Sequence, residues 1–246
     1  MKRNHTLLIL LFFAVGCHVS HPIAGIDYKG YAVGKESKAV DTSLLTMLRP
    51  YADSVNKTMN QVLAVAAVDL RKELPNSPLG NFLADAYRWA AIELLQQKAD
   101  VAFMNHGGVR INRLAAGPLT RGNVYEVMPF DNQLVVMEIS GKLLQEYLND
   151  IASSGGGGGI SGLSMRIVGK TATDVLIGGV PIDHAKTYTM VNSDYLVDGG
   201  GGFTAFKLLP QQRSGYLQRD AIIEYCRFIA ASGKKVHAEP LIRITQ

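Results

Sequence analysis

The sequence predicts an α+β fold, a mixed α/β sandwich of layered sheets and helices, on three observations. Short apolar runs such as Val101–Met104 and Gln133–Ile139 have the length and β-branched content of strands. Longer runs repeat apolar residues at the three- and four-residue spacing of a helix. The two kinds are interspersed without the strict alternation of a doubly wound parallel sheet. With 246 residues, 47% hydrophobic and 19% charged, the chain has enough apolar mass for one sizeable core. It shows no internal repeat and no second boundary within residues 41–246.

The elements follow in order. From Asp41 the spacing of Leu44, Leu45, Leu48 and Tyr51 predicts a helix. Gln61–Asp69 is apolar and β-branched, and reads as a strand. Ser77-Pro78-Leu79-Gly80-Asn81 opens a long helix, with Pro78 in its first turn. That helix is expected to run through Ala99, with Phe82, Ala86, Trp89, Ile92 and Leu95 on one face. Val101–Met104 is a buried strand. A turn and short helix are expected near Thr120–Val127, a strand at Gln133–Ile139, and a helix over Ser140–Ile151 with Ser140 as N-cap. Ser153–Gly159, SSGGGGG, reads as a slack surface loop. Strands follow at Leu163–Val168, Asp174–Ile177 and Thr187–Asn192, a helix at Asp220–Ala231, and a last strand at Leu241–Thr245.

The first residues, MKRNHTLLILLFFAVGC, combine a basic start with an apolar run from Leu7 to Val15. That run is shorter than the ~20 residues of a membrane-spanning helix and fits the core of a secretory signal. Ala14-Val15-Gly16-Cys17 resembles a bacterial lipobox, in which the cysteine is acylated and becomes the first residue. A plain signal peptide with an incidental cysteine is the alternative. The expected organisation is therefore a lipoprotein signal peptide over 1–16, a tether over 17–40, and a folded domain over 41–246, lipid-anchored in the cell envelope and facing the periplasm or exterior. Cys226, the one other cysteine, sits in a helical apolar pattern and reads as a small buried hydrophobe. There are 25 Lys and Arg against 21 Asp and Glu, a net +4; without Lys2 and Arg3 the 23 that remain leave +2. No basic run accompanies that charge, which argues against a nucleic-acid partner.

Several chemistries are absent from the pattern. The six histidines, His5, His18, His21, His106, His184 and His237, lack the close spacing of metal ligands, so no metal site is expected in this chain. There is no G-x-S-x-G nucleophile elbow and no phosphate loop ending in Lys-Ser/Thr. No catalytic residue is assigned.

Three segments carry the functional signal. Asn105-His-Gly-Gly-Val-Arg110 follows a buried strand. Gly107 and Gly108 permit a tight turn and close backbone approach, and Arg110 offers a planar bidentate donor for phosphate or carboxylate. Asn105 can hold the turn or hydrogen-bond a base edge. Pro129-Phe130-Asp131-Asn132 presents an aromatic ring in a rigid turn. Tyr195-Leu-Val-Asp198-Gly199-Gly200-Gly201-Gly202-Phe203 again places an aromatic before a glycine-rich turn. Two rings on two loops can sandwich a flat ligand, each contact contributing ~1–3 kcal/mol where the ligand is a base. Singly, each has a structural reading: Phe130 as core, Arg110 as a surface ion pair, Tyr195 as a strand-end plug.

Together and in order, S-x-x-G-N-F-L-A-D-A, N-x-G-G-V-R, P-F-D-N and Y-L-x-x-G-G-x-G-F resemble the C-terminal, nucleoside-binding domain of the 5′-nucleotidases and UDP-sugar hydrolases. The resemblance spans about Asp41 to Thr245. It implies that Phe130 and Tyr195 stack a base, that Arg110 reaches a phosphate, and that Asn105, Gly107, Gly108, Asn132, Gly199 and Gly200 belong to the pocket. Two positions depart from the pattern. Gly201 stands where the family commonly has an Asp for the ribose, for which Asp198 is a candidate substitute. Pro78 stands where an arginine is frequent. The family's two divalent metals lie in a separate N-terminal phosphoesterase domain, so no cofactor is expected in this chain. The expectation is a nucleotide- or nucleoside-binding subunit of a split 5′-nucleotidase, acting in nucleotide catabolism with a separately encoded metallophosphoesterase chain. The alternatives are a non-catalytic nucleoside-binding lipoprotein and an interaction module with a decayed site.

Overall fold

The structure, a computed structural model, describes residues 28–30, 41–237 and 242–246. The expected signal peptide, Cys17, most of the expected tether and Leu241 lie outside the described residues. Residues Leu48–Gln246 form one compact unit. Helix α1, Thr42–Met59, starts where Asp41 accepts hydrogen bonds from the backbone of Ser43 and Leu44 at 3.0 and 3.1 Å. These bonds, after one from the Ser43 hydroxyl, hold the Asp41 carboxyl below its usual range. No residue of α1 is buried.

Further along come strands β1 (Val62–Ala66) and β2 (Leu70–Arg71), helix α2 (Pro78–Glu93), and strands β3 (Val101–Met104), β4 (Arg113–Leu114) and β5 (Gly117–Thr120). Helix α3 (Arg121–Val127), β6 (Gln133–Ser140), α4 (Gly141–Ser153), β7 (Gly159–Ser161), β8 (Leu163–Val168), β9 (Thr171–Ile177) and β10 (Val180–Pro181) follow. Last are β11 (Thr187–Ser193), the one-turn helix α5 (Asp194–Val197), β12 (Gln211–Leu217), α6 (Gln218–Ala231) and β13 (Ile244–Thr245).

A five-stranded sheet, ordered β12-β6-β11-β3-β7, organises the unit. β11 runs parallel to β3 and antiparallel to β6, with Val191 opposite Ala102 and Val136. Both faces are covered. Leu134, Val136, Ala102, Met104 and Val191 point into a core shared with α2 and α6. Val135, Met137, Ile139, Val101, Phe103 and Met190 point into a second core shared with α4 and the four-stranded sheet β10-β9-β8-β13. Burial on both faces explains why β3 is apolar at every position and why β6 runs apolar from Leu134 to Met137. The result is the expected α+β sandwich.

Three elements differ from the sequence reading. Helix α2 ends at Glu93 rather than Ala99, because Leu94 and Leu95 both donate to Ala90 O and Gln96 turns the chain at φ 54°. Its buried side is broader than the single expected face: Leu79, Leu83, Tyr87 and Ala91 are buried beside Phe82 and Ala86, whereas Ile92 is exposed. It packs on β3 and β7 on one side and on α6 on another.

The Ser153–Gly159 run is not a slack surface loop. Gly156 to Gly159 are buried. A Cβ on Gly159 would lie 1.9 Å from Gly80 O, inside any permitted contact. The glycines let two backbones touch where the chain passes under α2. The third difference is β12, QQRSGYL, an edge strand whose polar composition hid it; β2, β4, β5, β7 and β10 are too short to show a period.

Candidate functional site

Strand directions decide where the site lies. β3 and β11 are parallel, so the segments after Met104 and after Ser193 emerge at the same end of the sheet. β6 is antiparallel to β11, with Leu134 opposite Ser193, so the segment before Gln133 arrives at that end too. β12 pairs Leu217 with Gln133, which brings the start of α6 alongside. Four chain segments far apart in sequence thus surround one cavity of about 320 Å³. That volume is the lower end of small-molecule sites.

Asn105, Gly107, Gly108, Arg110, Phe130, Asn132 and Tyr195 line it, together with Met104, Met128, Ser193 and Gln218. Phe130 is 39% exposed and Tyr195 50%, so neither ring is core. Arg110 forms no ion pair among the described residues. Its guanidinium carbon lies 5.7 Å from the Phe130 ring centroid, within cation–π range, and Nη1 donates to Gly107 O at 3.3 Å. Lys72 adds charge behind it, its ammonium donating to Val109 O at 2.9 Å. Burial, and then the Arg110 charge, hold Lys72 below the usual lysine range. Two neighbouring cations without an ion-pair partner among the described residues favour an anion at this mouth.

The walls are fixed by their own bonds. His106 Nδ1 is 2.8 Å from Gly157 O, so Nδ1 carries the proton and donates, tying the Asn105–Arg110 turn to the buried glycine run. Arg219, 8% exposed, donates to Phe130 O at 3.1 Å and to the Asp131 carboxylate at 2.6 Å, and stacks over Tyr125 at 4.3 Å. Asn132 Nδ2 donates to Asp194 Oδ1 at 2.7 Å, joining the Phe130 turn to the Tyr195 turn. Gly200 lies so close to Tyr195 that a Cβ there would be 2.5 Å from the ring.

Asp198, Gly199 and Gly200 do not line the cavity. Asp198 accepts from Arg213 at 2.5 Å, which holds Arg213 above its usual range, so the expected substitution of Asp198 for a ribose carboxylate at Gly201 is not what its geometry provides. Phe203 turns inward against Tyr147 and Phe206. Gln218 and Arg219 were missed in the sequence, where the last helix is placed from Asp220. Their signal was weak: two polar residues at a helix start, brought to the site only by β12. Among the described residues, no group of three or more His, Cys, Asp or Glu is placed to hold a metal ion, so the residues present do not fit the family's metal centre.

The model of the 5′-nucleotidase C-terminal domain family matches residues 55–208. The chain belongs to that family. Among relatives, the 5′-nucleotidase of Vibrio vulnificus is 30% identical over 234 residues, 91% of this chain and 41% of that protein. Endonuclease YhcR of Bacillus subtilis is 33% identical over 169 residues, 65% of this chain and 13% of that protein. The crystal structure of a 5′-nucleotidase precursor from Thermus thermophilus superposes with a TM-score of 0.68 at 31% identity, covering 83% of this chain and 43% of that one. The chain therefore spans less than half the length of these relatives. Within the 5′-nucleotidase C-terminal domain, the cavity described above is formed by all three motif segments that follow α2.

Proposed function

We propose that this chain is the nucleotide-binding part of a 5′-nucleotidase, with phosphomonoester hydrolysis depending on a two-metal phosphoesterase domain carried by a separately encoded chain. The observation that carries the reading is the juxtaposition of two half-exposed rings, Phe130 and Tyr195, with an Arg110 guanidinium that no described carboxylate neutralises. In this reading the rings stack the base from two loops and Arg110 grips the phosphate. Asn105 hydrogen-bonds the base or ribose, and Gly107 and Gly108 let the ligand approach the backbone. Asn132 holds the two ring-bearing turns at a fixed separation. The chain itself supplies binding and orientation. A lipid anchor at Cys17 would hold it to a membrane facing the periplasm or exterior.

A second reading, a nucleoside-binding lipoprotein without a catalytic partner, is favoured by the lack of a ribose carboxylate at Gly201. Calorimetry of the full chain with AMP and adenosine tests the first. AMP is expected to bind more tightly than adenosine, and Arg110→Ala to remove that difference while leaving adenosine nearly unchanged. Equal affinities for both ligands, unmoved by the substitution, would discard the phosphate role and leave the second reading. Co-purification of a metallophosphoesterase chain that hydrolyses AMP faster with this protein present tests the split enzyme.

A further inference from the structure

Gln218 stands at the first position of α6 and is only 3% exposed. Its backbone N–H is engaged, donating to Asn132 O at 2.9 Å. Its carboxamide makes no hydrogen bond with any described residue. The partnerless side-chain atoms sealed from solvent belong to Trp89, Arg121, Asn192 and Arg219, not to Gln218. The polar end of Gln218 therefore keeps open surface, and the space it borders is the cavity of Phe130 and Tyr195.

A nearly buried carboxamide that borders the recess and bonds none of its other polar groups, Asn105, Arg110, Asn132 and Ser193, is unfavourable unless something in the recess completes it. The group presents an N–H donor beside a carbonyl acceptor in one plane. The edge of a nucleobase presents a donor beside an acceptor in its plane, and a glutamine carboxamide pairs with such an edge through two bonds. Two rings that hold the plane of a base leave its edge as the part still to be read. The backbone bond to Asn132 fixes Gln218 to the same turn that carries Phe130.

We propose that Gln218 is the specificity-determining residue of this cavity, its carboxamide hydrogen-bonding the polar edge of a nucleobase held between Phe130 and Tyr195. The proposal rests on the nucleotide reading above and extends it from class of ligand to the atom group recognised. A site built to hydrogen-bond a ligand group discriminates against the analogue lacking it more strongly than an apolar pocket does.

The test is calorimetry of the full chain, wild type and Gln218→Met, with adenosine, inosine and purine riboside, which lacks the 6-substituent. The wild type is expected to bind the better of adenosine and inosine about tenfold more tightly than purine riboside. In Gln218→Met that preference falls towards unity, while purine riboside affinity changes less than about threefold, since Met keeps the shape. A wild type that does not discriminate, or a preference that survives in Gln218→Met, overturns the proposal and leaves the nucleotide reading intact. No binding of any of the three by wild type overturns both. Should Gln218→Met fail to fold, the wild type labelled at glutamine side-chain amides serves instead. A glutamine amide resonance pair that moves with the preferred nucleoside and not with purine riboside supports the role, and no glutamine amide response to any nucleoside overturns it.

Discussion

At the scale of single residues, the site divides into groups that line the cavity and groups that hold them there. Phe130 and Tyr195 belong to the first kind. Phe130→Ala and Tyr195→Ala are each expected to weaken adenosine binding by ~1–3 kcal/mol, roughly ten- to a hundredfold, and AMP binding by the same factor. A titration in which either variant binds adenosine like wild type would remove that ring from the stack. Arg219 belongs to the second kind. Its guanidinium holds the Phe130 carbonyl and the Asp131 carboxylate from beneath and does not line the cavity. Arg219→Met should therefore weaken adenosine binding, and a double variant with Phe130→Ala should show no further loss, because both changes act through one ring. Additive losses would place Arg219's effect elsewhere. Asn132 was legible in the sequence as part of a motif, but its bond to Asp194 was not, since the partners are 62 residues apart.

At the scale of elements, the glycine run before β7 is the point where a sequence reading by composition misleads. Five glycines in a row suggest slack, yet Gly156–Gly159 are buried and Gly159 touches the backbone of α2 at Gly80. Gly159→Ala should destabilise the fold by ~1–3 kcal/mol or more through overpacking, a fall of roughly 3–10 °C in melting temperature for a domain this size. Gly155→Ala is the internal control. It meets nothing within 4 Å and carries only the strain of φ 83°, about 1–2 kcal/mol. Equal melting temperatures for Gly159→Ala and wild type would mean the contact is relieved by movement of the loop. Helix α6 behaves as its pattern indicated around Cys226. The thiol is fully buried, and burial pushes its pKa up to about 12. It should not react with a thiol reagent at pH 8 until the protein is unfolded; rapid labelling of native protein would contradict the packing of α6 on α2.

At the scale of the whole molecule, the proposed nucleotide pocket, with no metal-binding donor set among the described residues, should bind and not hydrolyse. The purified full chain, given divalent metal and AMP, is expected to release no phosphate above background. Metal-dependent turnover that tracks with the protein through successive purification steps, and that is lost with Arg110→Ala, would overturn the division of labour proposed above. The proposed envelope location is tested separately. Cys17→Ser should abolish acylation and shift the protein out of the detergent phase, since stable anchoring needs several acyl chains; unchanged partitioning would leave a plain signal peptide as the reading of the first residues.

The sequence by itself determined which stretches become strands and helices wherever a period is long enough to be seen, and it determined the family through four ordered motifs. It did so because helix and two-sided strand patterns are local, and because each motif is a contiguous run. Tertiary structure alone decided which motif residues line the cavity. Asp198 turns to Arg213 and Phe203 packs against the core, Asn132 lines the cavity while bonding Asp194, and Arg219 reaches Phe130 and Asp131 across 89 and 88 residues with Gln218 beside it. Those placements follow from the order β12-β6-β11-β3, which sets partners by pairing between distant strands. No local pattern encodes that pairing. The polar edge strand β12, which delivers Gln218, is the element whose sequence shows least.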